Sequence, residues 1–216
     1  MMGSMSKALL LACLLSLSFF SPFSDARLIS MTVGRSQNHV FTSREVHLRH
    51  LLGEAMKGKK AAYRLDSEDS KAFFAETDKT ILEQLIAEES KHFSTVRLNE
   101  SDFDRELKKL PTALFTSAEW KALKPAPEEW KEIFWRRLQA EKFIQFRAQS
   151  SVIPISDGEA RRYFEENRLK FGDLPFEQFK ENIKIFLRRS QVEQRLKDWY
   201  EVLRAKYKAR NFLSEI

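Results

Sequence analysis

The chain has 216 residues, 31% of them charged and 12% aromatic, and a formal net charge of +6 from 37 basic and 31 acidic side chains. Signs so nearly balanced describe a mixed, solvated surface rather than the dense basic face that nucleic acid requires, and the residual bias favours acidic or anionic partners only through steering. A single cysteine, Cys13, excludes a disulfide framework and a multi-thiolate metal site.

In chain order, Lys7 precedes an apolar run from Ala8 to Phe20, Pro22 breaks it, and Ser24-Asp25-Ala26 offers small residues for a signal peptidase. The run is shorter than the roughly 20 apolar residues of a membrane-spanning helix. Leu10-Leu11-Ala12-Cys13 resembles a lipoprotein processing box, but most of the apolar stretch follows Cys13, so cleavage after Ala26 is preferred to lipidation or an uncleaved anchor. The expectation is a signal peptide over 1–26 and a single exported, cysteine-free domain over 27–216, without a stable membrane span.

Arg27 to Val33 reads as a short strand and Gly34 to His39 as a polar turn. Thr42 and Glu45 have capping-box spacing, opening a helix that carries Val46, Leu48, Leu51, Leu52 and Met56 and ends near Gly58. Lys57 to Ser70 reads as a loop. A helix from Lys71 to Phe93 packs one stripe of Phe74, Ile81, Leu82, Leu85, Ile86 and Phe93. A shorter helix over 100–110 stops at Pro111, and Thr116 with Glu119 repeats the capping spacing ahead of a brief turn containing Trp120.

Pro127 opens the next helix, to about Gln149, with Glu128 and Glu129 at the positive end of its dipole. This helix is apolar on two faces, Trp130, Ile133, Phe134, Leu138, Ala140 and Ile144 on one, and Trp135, Phe143 and Phe146 on the other. A central core helix is favoured over a binding groove as the explanation. After an extended linker at Val152–Ile155, Ser156 and Glu159 form a third capping box for a helix through Lys170. A break at Phe171-Gly172-Asp173-Leu174-Pro175 precedes a long final helix to Tyr207. Its apolar phase skips between Leu187 and Val192, which marks a bend or a change of packing partner. Asn211-Phe212-Leu213 can pair as a strand with Leu28 to Val33. The fold class is therefore mainly α: a multi-helix core with a long C-terminal helix and a small two-stranded pairing of the N- and C-terminal segments.

Four segments, in this order, resemble the SurA-type periplasmic chaperones. Val40-Phe41-Thr42-Ser43-Arg44-Glu45-Val46 resembles their extended opening element, and Ile81-Leu82-Glu83-Gln84-Leu85-Ile86-Ala87-Glu88-Glu89 their second helix. Ile155-Ser156-Asp157-Gly158-Glu159 leading to Tyr163-Phe164-Glu165-Glu166-Asn167 is similar to the segment before their parvulin domain. Leu174-Pro175-Phe176-Glu177-Gln178-Phe179, the helix to Tyr207 and the Asn211-Phe212-Leu213 tail are similar to the segment after it. Between Asn167 and Leu174 there is space only for Arg168 to Asp173, so no parvulin domain fits and prolyl isomerase activity is not carried over. The Asn-Gly turn usual after the first strand is also absent.

The resemblance implies N-terminal helices over 27–150 completed by C-terminal helices over 155–216. It implies a non-enzymatic, ATP-independent periplasmic holdase without cofactor or metal, binding unfolded or nascent envelope polypeptides as a monomer or a weak or swapped homodimer. The alternatives are an assembly subunit with one fixed partner and, behind it, a residual isomerase.

Eighteen Phe and four Trp are more than such a core needs. Phe73, Phe115, Trp120, Trp135, Phe143 and Phe146 fit the stripes least well and are the candidates for an exposed peptide-binding surface. Glu89-Ser90-Lys91-His92 has the Glu-x-x-His spacing of a metal-binding helix, but no second copy exists to complete a carboxylate-bridged site. His47 and His50 share the first helix without designated further ligands, so a helical surface pair is preferred to zinc.

Overall fold

The computed structural model describes residues 30–58, 71–150 and 153–214. The signal-peptide reading of 1–26 and most of the predicted 57–70 loop lie outside the described residues. The chain is mainly helical, with a long C-terminal helix and one small antiparallel sheet.

Strand β1 (Thr32–Arg35) pairs with β2 (Val40–Thr42) across an irregularity between Thr32 and Gly34. Strand β3 (Arg210–Asn211) takes the other edge of β1, giving the order β2-β1-β3. The pairing of N- and C-terminal segments therefore exists, but in a different register from the sequence expectation. Gly34 and Arg35 meet Asn211 and Arg210, while Phe212 to Ser214 turn away as a 3-10 helix. The expected turn at 34–39 is partly strand, and β2 is an addition. Val33 and Phe41 anchor the hairpin because both are sealed in the core.

Helix α1 (Ser43–Met56) starts where the Thr42 hydroxyl accepts the Glu45 N–H at 3.2 Å. It is followed by α2 (Lys71–Ser90), a 3-10 turn at Ser94–Val96, and α3 (Glu100–Leu107), capped by Asn99. Two short helices, α4 (Thr112–Thr116) and α5 (Ala118–Leu123), lead to α6 (Pro127–Ser150). The cap of α5 is Ser117, whose hydroxyl accepts from the Trp120 N–H, and not Thr116. The Thr116 hydroxyl is already committed to carbonyls of α4, the unforeseen helix it ends.

Helix α7 (Asp157–Glu166) carries the complete Ser156–Glu159 capping box and stops four residues before the expected Lys170, where Arg168–Lys170 tightens into a 3-10 turn. Helix α8 (Phe176–Lys206) is continuous for 31 residues. The skip in its apolar phase corresponds to a change of partner. Phe176, Phe179, Ile183 and Leu187 pack with Ala160 and Phe164 of α7 into an arm. Beyond the skip, Trp199, Tyr200 and Leu203 pack on Val33, Ile81, Leu85 and Phe143 of the body. A second body cluster joins α1 to the α4–α6 region through Leu48, Leu52, Leu114, Trp120 and Phe134.

Helix α6 is central, the reading favoured for its two apolar faces, and it also buries charge. Between α1, α2 and α6, Arg49 binds both Glu76 and Glu83, Arg137 Nη1 reaches Glu83 at 3.1 Å, and Arg136 joins Glu45 to Gln84.

Candidate functional site

Helices α6 and α8 meet where Trp199 lies against Phe143, with ring centroids 5.8 Å apart, and under the Arg147 guanidinium at 4.9 Å. Past this crossing α8 continues into the arm, and the space between it and the end of α6 opens as a crevice of about 480 Å³. Ala148, Ile185 and Val192 supply apolar walls, while Gln149, Arg188, Arg189 and Glu193 stand around them. Ile185 keeps 59% of its surface exposed, and the adjacent Phe186 keeps 50%. Covering the exposed half of a side chain of this size contributes on the order of 1 kcal/mol, so a chain laid in the crevice gains from each contact without fixed geometry. Arg189 pairs with Glu193 at 3.0 Å; among the described residues Arg188 has no carboxylate at ion-pair distance.

The six candidate aromatics do not form this surface. Phe73 and Phe143 are wholly buried and Trp120 nearly so. They are corrected to core residues: Phe73 and Phe143 fill the cluster between the sheet, α2, α6 and α8, and Trp120 fills the one beside α1. Phe115 is half-buried, at 5.1 Å from Trp120 and 5.6 Å from Trp130. Phe146 is half-buried against Phe93 and Phe143. Trp135 is half-buried beside Phe103 and lines a second cavity, of about 310 Å³, between α2 and α6. Several charged and polar side chains, among them Glu88, Lys91, Arg136 and Gln139, line that cavity beside the Trp135 ring. Its Gln139 is spent holding the 96–98 segment, accepting from Leu98 N–H and donating to the Val96 carbonyl, both at 2.7 Å. Its Lys91 is paired with Glu88 at 2.6 Å.

Periodicity does not mark the crevice residues, because Ile185 falls off the apolar stripe of α8 and Val192 reads as part of its second half. The available signal was the phase skip itself, since a helix changing partners must leave part of a face uncovered between them.

The two histidine motifs dissolve into packing. His47 lies 5.3 Å from the Phe73 ring, and His50 Nδ1 is 3.6 Å from Glu76. Glu89 accepts from Lys206 Nζ at 2.5 Å and from the Tyr207 hydroxyl at 2.8 Å. Burial first, then that hydrogen bond and the Glu89 charge, raise the Tyr207 phenol well above its usual value. Among the described residues no group of His, Cys, Asp or Glu is placed to hold a metal ion, and no helix is long and apolar enough to cross a membrane. The comparisons with protein families, curated proteins and solved structures return no match.

Proposed function

We propose that the protein is an ATP-independent holdase of the cell envelope, which lays unfolded segments of exported polypeptides into the crevice between α6 and α8. The observation that carries this reading is the apolar wall of Ala148, Ile185 and Val192 in an open crevice, with Ile185 59% exposed. A contiguous apolar surface left facing solvent marks an interaction site. An open crevice with apolar walls and polar groups only at its margin suits sequence-tolerant gripping rather than recognition of one shape. The leader-like segment at 1–26 and the SurA-like order of segments support an exported location, and the reading needs no cofactor.

The test is suppression of aggregation of an unfolded outer-membrane protein at near-stoichiometric amounts. Wild type is expected to suppress it, and Ile185→Glu combined with Val192→Glu is expected to lose most of that effect with an unchanged circular dichroism spectrum. A well-folded wild type that suppresses nothing overturns the proposal. Pull-down from envelope extract distinguishes many clients from the single dominant partner of an assembly subunit.

A further inference from the structure

We infer that this chain pairs weakly with a second copy of itself, the arm tip of each copy filling the crevice of the other. Among the described residues, two apolar features of the arm lack a cover. One is the tip, where Leu169 is fully exposed and Leu174 is 48% exposed. The tip is tied in place. Arg168 Nη1 donates to the Leu174 carbonyl at 2.9 Å, the same guanidinium lies 4.7 Å over the Phe164 ring, and Lys170 Nζ donates to Asn167 Oδ1 at 2.8 Å. A side chain presented on so braced a turn loses little further freedom on docking.

The other uncovered feature is the crevice at the arm's base. The tip adjoins Phe176 and the crevice centres near Arg188, twelve residues on, which is about 18 Å along the helix. Two identical arms laid antiparallel about a two-fold axis bring each tip to the other's base, so one contact is made twice. Charge favours this register. Glu165, Glu166 and Asp173 near the tip take part in no ion pair among the described residues, and neither does Arg188 at the base. Arg162 and Lys170 offset the tip acids, and the carbonyl end of α6 partly offsets Arg188, so charge orients the pair rather than driving it.

One or two leucines in an open crevice on each side make a small contact beside the roughly 1,200 Å² that stable interfaces bury. The pair is therefore concentration-dependent, with a dissociation constant on the order of micromolar. Its consequence, that a paired copy cannot take a client, rests on the holdase reading; the pairing itself does not.

The experiment uses the full chain with its one cysteine removed, Cys13→Ser. On this background Leu169→Cys and Ile185→Cys are made singly and together. Within one copy Leu169 lies in the turn ahead of α8, and the stretch of α8 from Phe176 to Ile185 alone spans about 14 Å, beyond the roughly 7 Å that a disulfide spans. On oxidation, an equimolar mixture of the two single variants is expected to give a reducible covalent dimer. In sedimentation from about 1 to 100 µM, a range set around that affinity, wild-type mass rises toward a dimer. Leu169→Glu raises the dissociation constant at least about tenfold, and Asp173→Lys restores part of the pairing lost in Arg188→Glu. Absence of the mixed disulfide, a monomer throughout, or a dimer indifferent to Leu169→Glu each overturns the inference. Aggregation suppression, measured in parallel, separates the two proposals: pairing without suppression removes the holdase alone, and suppression without pairing removes the pairing alone.

Discussion

Arg49 is only 8% exposed, yet it carries a full charge between Glu76 and Glu83, and Arg137 and Glu141 extend the same layer. Burial pushes the Glu76 carboxyl up, but contacts with His50 and Lys79 and the charge of Arg49 outweigh it, and the net displacement is downward. Glu45 behaves likewise, burial being overcome by His39 and Arg136. A carboxylate depressed in the folded state contributes stability above its ordinary value of 4.5 and loses it as pH falls below that value. Glu141 runs the other way: burial raises it, so its charged form is mildly unfavourable at neutral pH. Urea unfolding should therefore show wild-type stability declining from about pH 4.5 downward. Arg49→Ala should cost roughly 2–3 kcal/mol at pH 7, below the roughly 3–5 kcal/mol of a fully unpaired buried charge, because Glu76 keeps Lys79 and Glu83 keeps Arg137. That deficit should narrow as the acids protonate in the same window; a constant deficit would show that packing, not charge, is lost. In the sequence Arg49 stands between His47 and His50, where only the histidines drew notice. A buried arginine is invisible there because its carboxylates arrive from another helix, 27 and 34 residues away.

At the scale of elements, the most legible features were those decided locally. The Ser156–Glu159 box forms in full because both groups lie within one turn, whereas at Thr42 only the bond from the Glu45 N–H forms, the Glu45 carboxylate being taken by His39 and Arg136. The Thr116 cap failed by one residue, since α4 claimed its hydroxyl, and strand β2 escaped notice because three residues are too few to establish an alternating period. The third strand depends on Gly34. A Cβ there would sit 2.7 Å from the Arg210 carbonyl oxygen and 3.0 Å from Ile81 Cδ1. The backbone contact cannot swing aside as a side-chain tip would, so Gly34→Ala should cost about 1–3 kcal/mol. Hydrogen exchange of the Arg210 and Asn211 amides should accelerate in this variant before that of α2. Unchanged exchange at both amides would mean that the sheet edge has yielded without releasing β3.

Across the whole molecule, body and arm have separate apolar clusters joined by one helix. Phe164, in the arm, touches Phe171, Phe176 and Phe179 and none of the body rings. Phe164→Ala should therefore raise amide exchange across α7 and the first half of α8 while leaving α2 and α6 at wild-type protection. Uniform acceleration would instead show one cooperative unit. The mainly α architecture and the long last helix were readable because amphipathic periods of 3.6 persist over many turns. The crevice was not, because the uncovered side chains of α8 have the same composition as its covered ones, and only the placement of α6 decides which is which.

The bond from Arg168 to the Leu174 carbonyl also fixes where the chain departs from α7 and where it comes back to α8. Entrance and exit are neighbours, and Gly172 between them has nothing within 4 Å of an added Cβ. A seam of this kind tolerates splicing: an entire independent fold inserted between Asn167 and Leu174 would hang from the arm like a pendant, leaving both helices and the body beneath undisturbed.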